Sequence, residues 1–297
     1  MTNGKPARTS QANWLFLVPA LALLAVILLI PLFVSFWLSI SSPTFTLDNY
    51  ISLFTDGITM TVLLRTAYTA LIVTVVAFVI GYPYAYVMTR VGPGMRGLLL
   101  TIVLIPFWTS SLARNFGWLI ILQDGGVLQQ IAAFFGIDDF VLYGTTPGVI
   151  VAMSQVMLPF MVLPLFSALG GIDRRLLLAA QGLGSSPVKA FWKIYWPLSR
   201  AGVVSGLILV YTLSLGFYVT PALVGSRQQS QISQLLGQRM TELLDFAGGG
   251  ALGTLILVIT LLLVAWANRF GGSYTALGAV AGRASPTPAI IEGARER

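Results

Sequence analysis

The run from Trp14 to Ile40 carries no charged side chain. At 1.5 Å per helical residue it is longer than the hydrocarbon core of a bilayer, about 30 Å, requires. Five more apolar segments of spanning length follow: about Thr66–Thr89, Leu98–Leu122 (which contains one charge, Arg114), Pro147–Leu169, Ala201–Thr220 and Ala247–Asn268. In lipid, each backbone N–H and C=O must find its partner within the protein, which such a segment achieves as a helix. Ala20-Leu21-Ala22 has the small residues of a leader-peptide cleavage site, but apolar residues continue to Val34, beyond a 7–15 residue leader core. The expectation is a retained helix.

Charged residues make up 9% of the chain and hydrophobic ones 56%. A soluble domain carries roughly 25% charged residues, so too little polar surface is available to cover a globule in water. The fold class expected is all-α: a polytopic membrane protein with six transmembrane helices. Residues 1–13 and 271–297 lack helical periodicity and read as disordered tails flanking a membrane domain at 14–270. The chain has no Cys and no His. Thiolate and imidazole metal sites, disulfides and His-based acid–base chemistry are therefore excluded.

With six spans, both termini share a side with the second and fourth loops. That side holds Lys5, Arg8, Arg90, Arg96, Arg174, Arg175, Lys189, Lys193, Arg200, Arg269, Arg283, Arg295 and Arg297, thirteen of the 17 basic residues. Asp48, Asp56, Asp124, Asp138, Asp139, Glu242 and Asp245 fall on the other side. The positive-inside rule then expects both termini and the 173–197 loop in the cytoplasm. A nucleic-acid site would gather its basic residues into one patch, whereas these are spread over separate short segments, so no nucleic-acid partner is expected.

The longest interior polar break is LLLAAQGLGSSPVKAFWKIYWPL, Leu176 to Leu198. Asp173 can cap a short helix through Gln181, with Leu176, Ala180 and Leu183 on one face. Gly182 and Gly184 break it. Ser185 and Ser186 can cap a second helix with Pro187 at its first position. Val188, Phe191, Trp192 and Tyr195 then follow at i, i+3, i+4 and i+7, and Pro197 is expected to end the run. Two readings stay open on periodicity alone: a hairpin resting on lipid headgroups, or one presented to a soluble partner.

The residue types add a resemblance. Ala179-Ala180, then Gly184, then nine residues, then Ile194-Tyr195-Trp196-Pro197 resembles the EAA loop of permease subunits of ATP-binding-cassette importers. The motif's Glu falls on Leu178, and an acidic position falls on Gly182. Three more stretches are similar to spermidine/putrescine-type permeases. They are Pro106-Phe107-Trp108-Thr109-Ser110-Ser111 with Arg114 and Trp118; Leu158 to Pro164 leading into Ile172-Asp173; and Leu215 to Gly225. The resemblance covers roughly residues 14 to 270. It implies a coupling helix that sits in a cleft of a separate cytoplasmic ATPase, with Ala179, Ala180, Gly184, Ser185, Ala190, Phe191, Ile194 and Pro197 as the coupling residues. It also implies a second permease subunit, identical or different, a periplasmic solute-binding protein, membrane lipid around the helices, and the bacterial inner membrane as location. No cofactor is expected on this chain; ATP and Mg would bind the partner ATPase. No G-x-x-x-x-G-K-[ST] occurs here.

Arg114 is the one charge expected inside a span, which marks it for function by default. It admits a structural ion pair, for example with Asp124, or contact with solute. Trp108, Trp118, Phe217 and Tyr218 admit an interfacial aromatic belt or a wall that holds an alkylammonium by cation–π contact. The solute class implied is a polyamine or a related amine or opine-type compound. An ion-coupled secondary transporter would need ionisable residues at mid-membrane and inverted repeats, and only Arg114 is offered. A membrane subunit without its own pathway is the other alternative.

Overall fold

The computed structural model describes residues 11–41, 45–137 and 140–270. The described residues hold helices and no strand: α1 Gln11–Ser41, α2 Asp48–Thr55, α3 Gly57–Arg90, α4 Pro93–Trp108, α5 Ser111–Leu122, α6 Val127–Phe134, α7 Thr146–Gly170, α8 Arg174–Gly182, α9 Pro187–Ala190, α10 Trp196–Leu215, α11 Val219–Val224, α12 Ile232–Thr241 and α13 Phe246–Phe270. A π-helical turn, Phe191–Tyr195, joins α9 to α10. Residues 11–13, expected in the N-terminal tail, form the first turn of α1. The rest of that tail and all of 271–297 lie outside the described residues.

Five helices are long and apolar enough to cross a membrane: Val18–Ser41, Gly57–Arg90, Thr146–Gly170, Pro187–Leu215 and Phe246–Trp266. The third segment departs from expectation. Leu98–Leu122 is not one straight helix but a pair, Pro93–Trp108 and Ser111–Phe134, bent by 99°. Pro106 removes a backbone donor near the end of α4, and Ser110 takes ψ 132°, outside the helical range, before α5 begins. Counted as one broken span, the pair brings the total to six.

The helices cluster into two compact units. One comprises the chain up to Val73, Phe107–Val156 and Tyr211–Leu262; the other comprises Thr74–Pro106, Met157–Val210 and the chain from Leu263. Thus α3, α4, α7, α10 and α13 each lend residues to both.

In the first unit, Leu53, Val62, Ile232, Ala251 and Leu252 form a buried cluster. Its helix ends are tied by charge. Asp56 caps α3, accepting from the backbone N–H of Ile58 and Thr59 and from the Thr59 hydroxyl at 2.6 Å. Asp245 caps α13 through Gly248 N–H at 2.8 Å. The guanidinium of Arg239, on α12, lies 3.5 Å from Asp56 and 3.9 Å from Asp245, so one cation joins the caps of two spanning helices. The Thr59 hydroxyl, with the backbone donors and Arg239, holds the Asp56 carboxyl below its ordinary range.

In the second unit, α3, α7 and α10 meet through small residues. Lipid tails are as apolar as Leu, so spanning helices gain little from burying apolar surface against each other and rely on close approach. Gly202 and Gly206, four apart on α10, provide it. A Cβ at Gly206 would lie 2.8 Å from the Met161 sulfur, and one at Gly202 would collide with the Ala168 methyl. From α3, a Cβ at Gly81 would meet Met161 Cγ at 2.9 Å. Met161 is fully buried. We expect Gly206→Leu to destabilise this packing by about 1–3 kcal/mol, read as a lower melting temperature of the purified protein. Gly216→Leu, where a Cβ meets nothing within 4 Å, should leave that packing unaffected.

Candidate functional site

The hairpin 173–197 takes the expected form at its start. Asp173 caps α8, its Oδ1 accepting from Arg175 N–H at 2.9 Å. Helix α8 ends through Ser185 N–H to Ala180 C=O and Gly184 N–H to Gln181 C=O. Gly184 adopts φ +85°, a left-handed conformation that side chains with a Cβ disfavour. Ser186 then caps α9, accepting from Lys189 N–H at 3.3 Å, with Pro187 in its first turn.

Beyond Ala190 the structure corrects two expectations. Pro197 does not end the helix: the chain is helical from Pro187 through Leu215, with Pro197 inside. The π turn just before it widens the helix, which accommodates the ring and the missing donor of Pro197. Nor do Val188, Phe191, Trp192 and Tyr195 share one face. Tyr195 is buried and Phe191 half-buried, while Val188 and Trp192 are exposed. The extra residue of the π turn rotates the side chains out of 3.6-residue register.

The inward rings meet a ladder on α3. Phe78, Tyr82, Tyr86 and Arg90 recur every fourth residue and so line one face. Phe191 packs edge-on to Tyr82 at 6.4 Å and to Tyr86 at 6.1 Å, and Tyr195 to Tyr86 at 5.3 Å. Trp196 packs against Tyr82 at 5.5 Å and Phe78 at 6.4 Å. Tyr82 Oη and Ser199 Oγ are hydrogen-bonded at 3.1 Å, and Arg90 stacks 4.8 Å above Tyr86. The i, i+4 spacing of the ladder is visible in the sequence, but inside an apolar span it does not stand out. Of the hairpin residues singled out, Ala190 is buried, Ala180, Ser185, Phe191 and Ile194 are half-buried, and Ala179, Gly184 and Pro197 are exposed. Leu183 at the tip is 90% exposed and Leu178, at the motif's Glu position, 65%. The hairpin therefore shows an apolar outer surface on a firmly seated base.

The residues singled out for the solute fall in the first unit, where α5 packs against α11. Trp108 ends α4, 89% exposed. Arg114 is half-buried in the first turns of α5, just past the bend, rather than within a straight span. Trp118 packs on a cluster of Leu122, Ala152 and Val224, and its Nε1–H donates to Gln155 Oε1 at 3.3 Å. Phe217 and Tyr218 lie between α10 and α11 beside α12, where Phe217 C=O accepts from Ser233 Oγ at 2.7 Å.

The first unit also holds buried oxygens that sequence reasoning passed over. Thr69 Oγ1, Asn115 Oδ1, Ser154 Oγ, Ser214 Oγ, Thr220 Oγ1 and Gln231 Oε1 are buried without a protein hydrogen-bond partner. Gln231 lies against Met153, Nε2 to Sδ 3.9 Å, and its neighbour Ile232 N–H donates to Thr66 Oγ1, one turn from Thr69. Buried polar atoms are normally satisfied, so a set of orphaned acceptors invites a donor from outside the chain. Single hydroxyls within apolar spans, such as Ser154 in VIVAMSQVM, are the only sequence trace.

Residues 77–270 match the family described as binding-protein-dependent transport system inner membrane component. The chain is 34% identical over 225 residues to the spermidine/putrescine transport system permease protein PotB of Escherichia coli (strain K12), covering 75% of this chain and 82% of that protein. Among solved structures, it superposes on a bacterial ABC transporter involved in import of the acidic polysaccharide alginate, with TM-score 0.70, 18% identity, 89% of this chain and 96% of the other. The same alginate transporter in complex with its alginate pentasaccharide-bound periplasmic protein gives TM-score 0.68 at 18% identity, covering 87% and 93%. At that identity the likeness is one of fold.

The geometry makes the seating of the hairpin measurable. Phe191→Ala removes edge-to-face contacts worth about 0.5–1.5 kcal/mol each. We expect faster amide hydrogen exchange across 187–196, with exchange in α12 unchanged.

Proposed function

The chain belongs to the binding-protein-dependent transport system inner membrane components, and on that premise we propose that it couples a separate ATPase to solute passage through the 173–197 hairpin. It is a multi-pass permease subunit of the inner membrane and not an enzyme. The observation that carries the proposal is the hairpin itself: an exposed apolar tip on a base locked to α3 by the aromatic ladder.

The chemistry is mechanical. An ATPase closing on ATP and Mg would grip the tip through Leu178, Leu183, Val188 and Trp192. Several ring pairs at about 0.5–1.5 kcal/mol each make the base stiff, so displacement of the tip tilts α3 and α10 rather than bending the hairpin. Because α9, the π turn and α10 form one continuous helix, the push enters a spanning segment directly. Leu178 in place of the motif's Glu makes this contact apolar, and a second permease subunit is the place for the carboxylate contact. A periplasmic binding protein delivers the solute.

The solute we propose is a polyamine or a related amine. The relative's name supports this, and so do the unpartnered oxygen acceptors of the first unit, which suit an ammonium donor. Trp118, Phe217 and Tyr218 would add apolar and cation–π contact along the methylene chain, and Arg114 would support the bent pair rather than touch a cationic solute.

Two measurements check this reading. Gly184→Val forces a β-branched residue into a left-handed turn. Membrane insertion should persist while uptake, and stimulation of the ATPase by loaded binding protein, fall at least tenfold. Normal coupling in an assembled complex would refute the proposal. For orientation, Ser185→Cys in this Cys-free chain should resist an impermeant thiol reagent in intact cells and react in inverted vesicles.

A further inference from the structure

A cleft of about 730 Å³ opens beside the base of the hairpin, between the turn from α3 to α4, the end of α7 and the π turn. Its size is that of a small-molecule site. Three arginines, Arg90, Arg96 and Arg175, line it with one acid, Asp173. Phe166, Leu169 and Ile172 form its apolar wall.

None of the three guanidinium groups pairs with a carboxylate among the described residues. Arg96 is held in place: Nε–H donates to Met88 C=O at 3.2 Å, Nη2 lies 3.5 Å from Val91 C=O, and the group sits 5.8 Å from the centre of the Phe166 ring. Arg90 lies over Tyr86. Asp173 spends one carboxylate oxygen on the cap of α8. Two cations are thus anchored by rings and carbonyls instead of anions, and the wall keeps a formal charge of about +2, from three Arg against one Asp.

We infer that this cleft is an anion site that holds a phosphate group, supplied by an anionic phospholipid of the adjoining leaflet. The inference rests on the proposed orientation, which puts the cleft at the cytoplasmic leaflet. Guanidinium matches phosphate oxygens in pairs, and basic pockets among spanning helices on the cytoplasmic side suit anionic headgroups. The mixed wall favours a lipid over a free ion: arginines face the phosphodiester, and Phe166, Leu169 and Ile172 face the glycerol and first methylenes. Because Arg90, Arg175 and the Tyr195 ring all border the cleft, an occupant would brace the base of the hairpin.

The test uses the assembled complex purified in detergent. Its melting temperature is read with added phosphatidylglycerol, with phosphatidylcholine, and with inorganic phosphate. Phosphatidylglycerol should raise it by several degrees more than phosphatidylcholine. The double substitution Arg90→Gln with Arg175→Gln should remove most of that difference, as should Arg175→Gln alone in part, a variant that disturbs no ring stacking. Lys193→Gln with Arg200→Gln loses the same charge outside the cleft and should retain it. If inorganic phosphate reproduces the gain, and the gain is lost in the same variants, the phosphate site stands and its source is the aqueous phase. Equal responses to the two lipids without a phosphate response, or equal losses in both double variants, would overturn the inference. ATPase stimulation by loaded binding protein, read in the same samples, reports separately on coupling.

Discussion

Inside a hydrocarbon layer, a backbone N–H or C=O left unpaired costs several kcal/mol, and this cost shapes everything else in the molecule. It makes helices the local structure of each spanning segment. It also changes what holds the helices together, because side-chain burial alone gives little preference for protein over lipid. Close approach takes over. Gly81 and Gly206 bring α3 and α10 onto Met161 of α7, and Gly202 brings α10 onto Ala168, so tightly that a single added methyl meets another atom at under 3 Å. Where helices end, charge takes the role of the missing hydrogen bonds. Arg239 joins the acidic caps of α3 and α13, and Arg96 satisfies carbonyls at the end of α3.

Departures from regular helix stand out against that constraint, since each one must be compensated. The 99° bend between α4 and α5 follows Pro106 and leaves Ser110 in extended geometry. The π turn at Phe191–Tyr195 precedes Pro197 and turns two aromatic rings inward. Each compensation sits at a site with a proposed role. The bend brings in Arg114 and Trp118, and the π turn lets an exposed hairpin continue unbroken into a spanning helix. A helix that ended at Pro197 would put a flexible joint where the proposed coupling needs a continuous helix.

The two units carry different polar chemistry. The first holds neutral oxygens, buried and unpartnered, on α3, α5, α7, α10 and α11 and just ahead of α12, together with paired charges at its helix ends. The second is cationic: among its described residues Asp173 is the only acid, against Arg90, Arg96, Arg174, Arg175, Lys189, Lys193, Arg200 and Arg269. For the polyamine proposed as solute, neutral acceptors would let an ammonium pass without trapping it, whereas a deep carboxylate would bind it strongly. Clustered arginines fit phosphate.

Much of this was legible in the chain itself. The apolar runs determined helices and spans, because their length and polarity leave a bilayer as the only solvent that suits them. Asp173, Gly184, Ser186 and Pro187 determined the hairpin's caps and turn, which depend on local backbone geometry and neighbours within four residues. Tertiary structure decided the rest. A period of 3.6 residues cannot reveal a π turn, so the split of Val188 and Trp192 from Phe191 and Tyr195 was hidden, as was the continuation past Pro197. The ladder of Phe78, Tyr82 and Tyr86 lay unmarked in a span where every face is apolar. Trp108 and Trp118 share a motif, yet the bend between them leaves one exposed and packs the other into a cluster. The cationic cleft joins residues from 89 to 195, and only packing brings them together, because local sequence sets a helix's faces but not its neighbours.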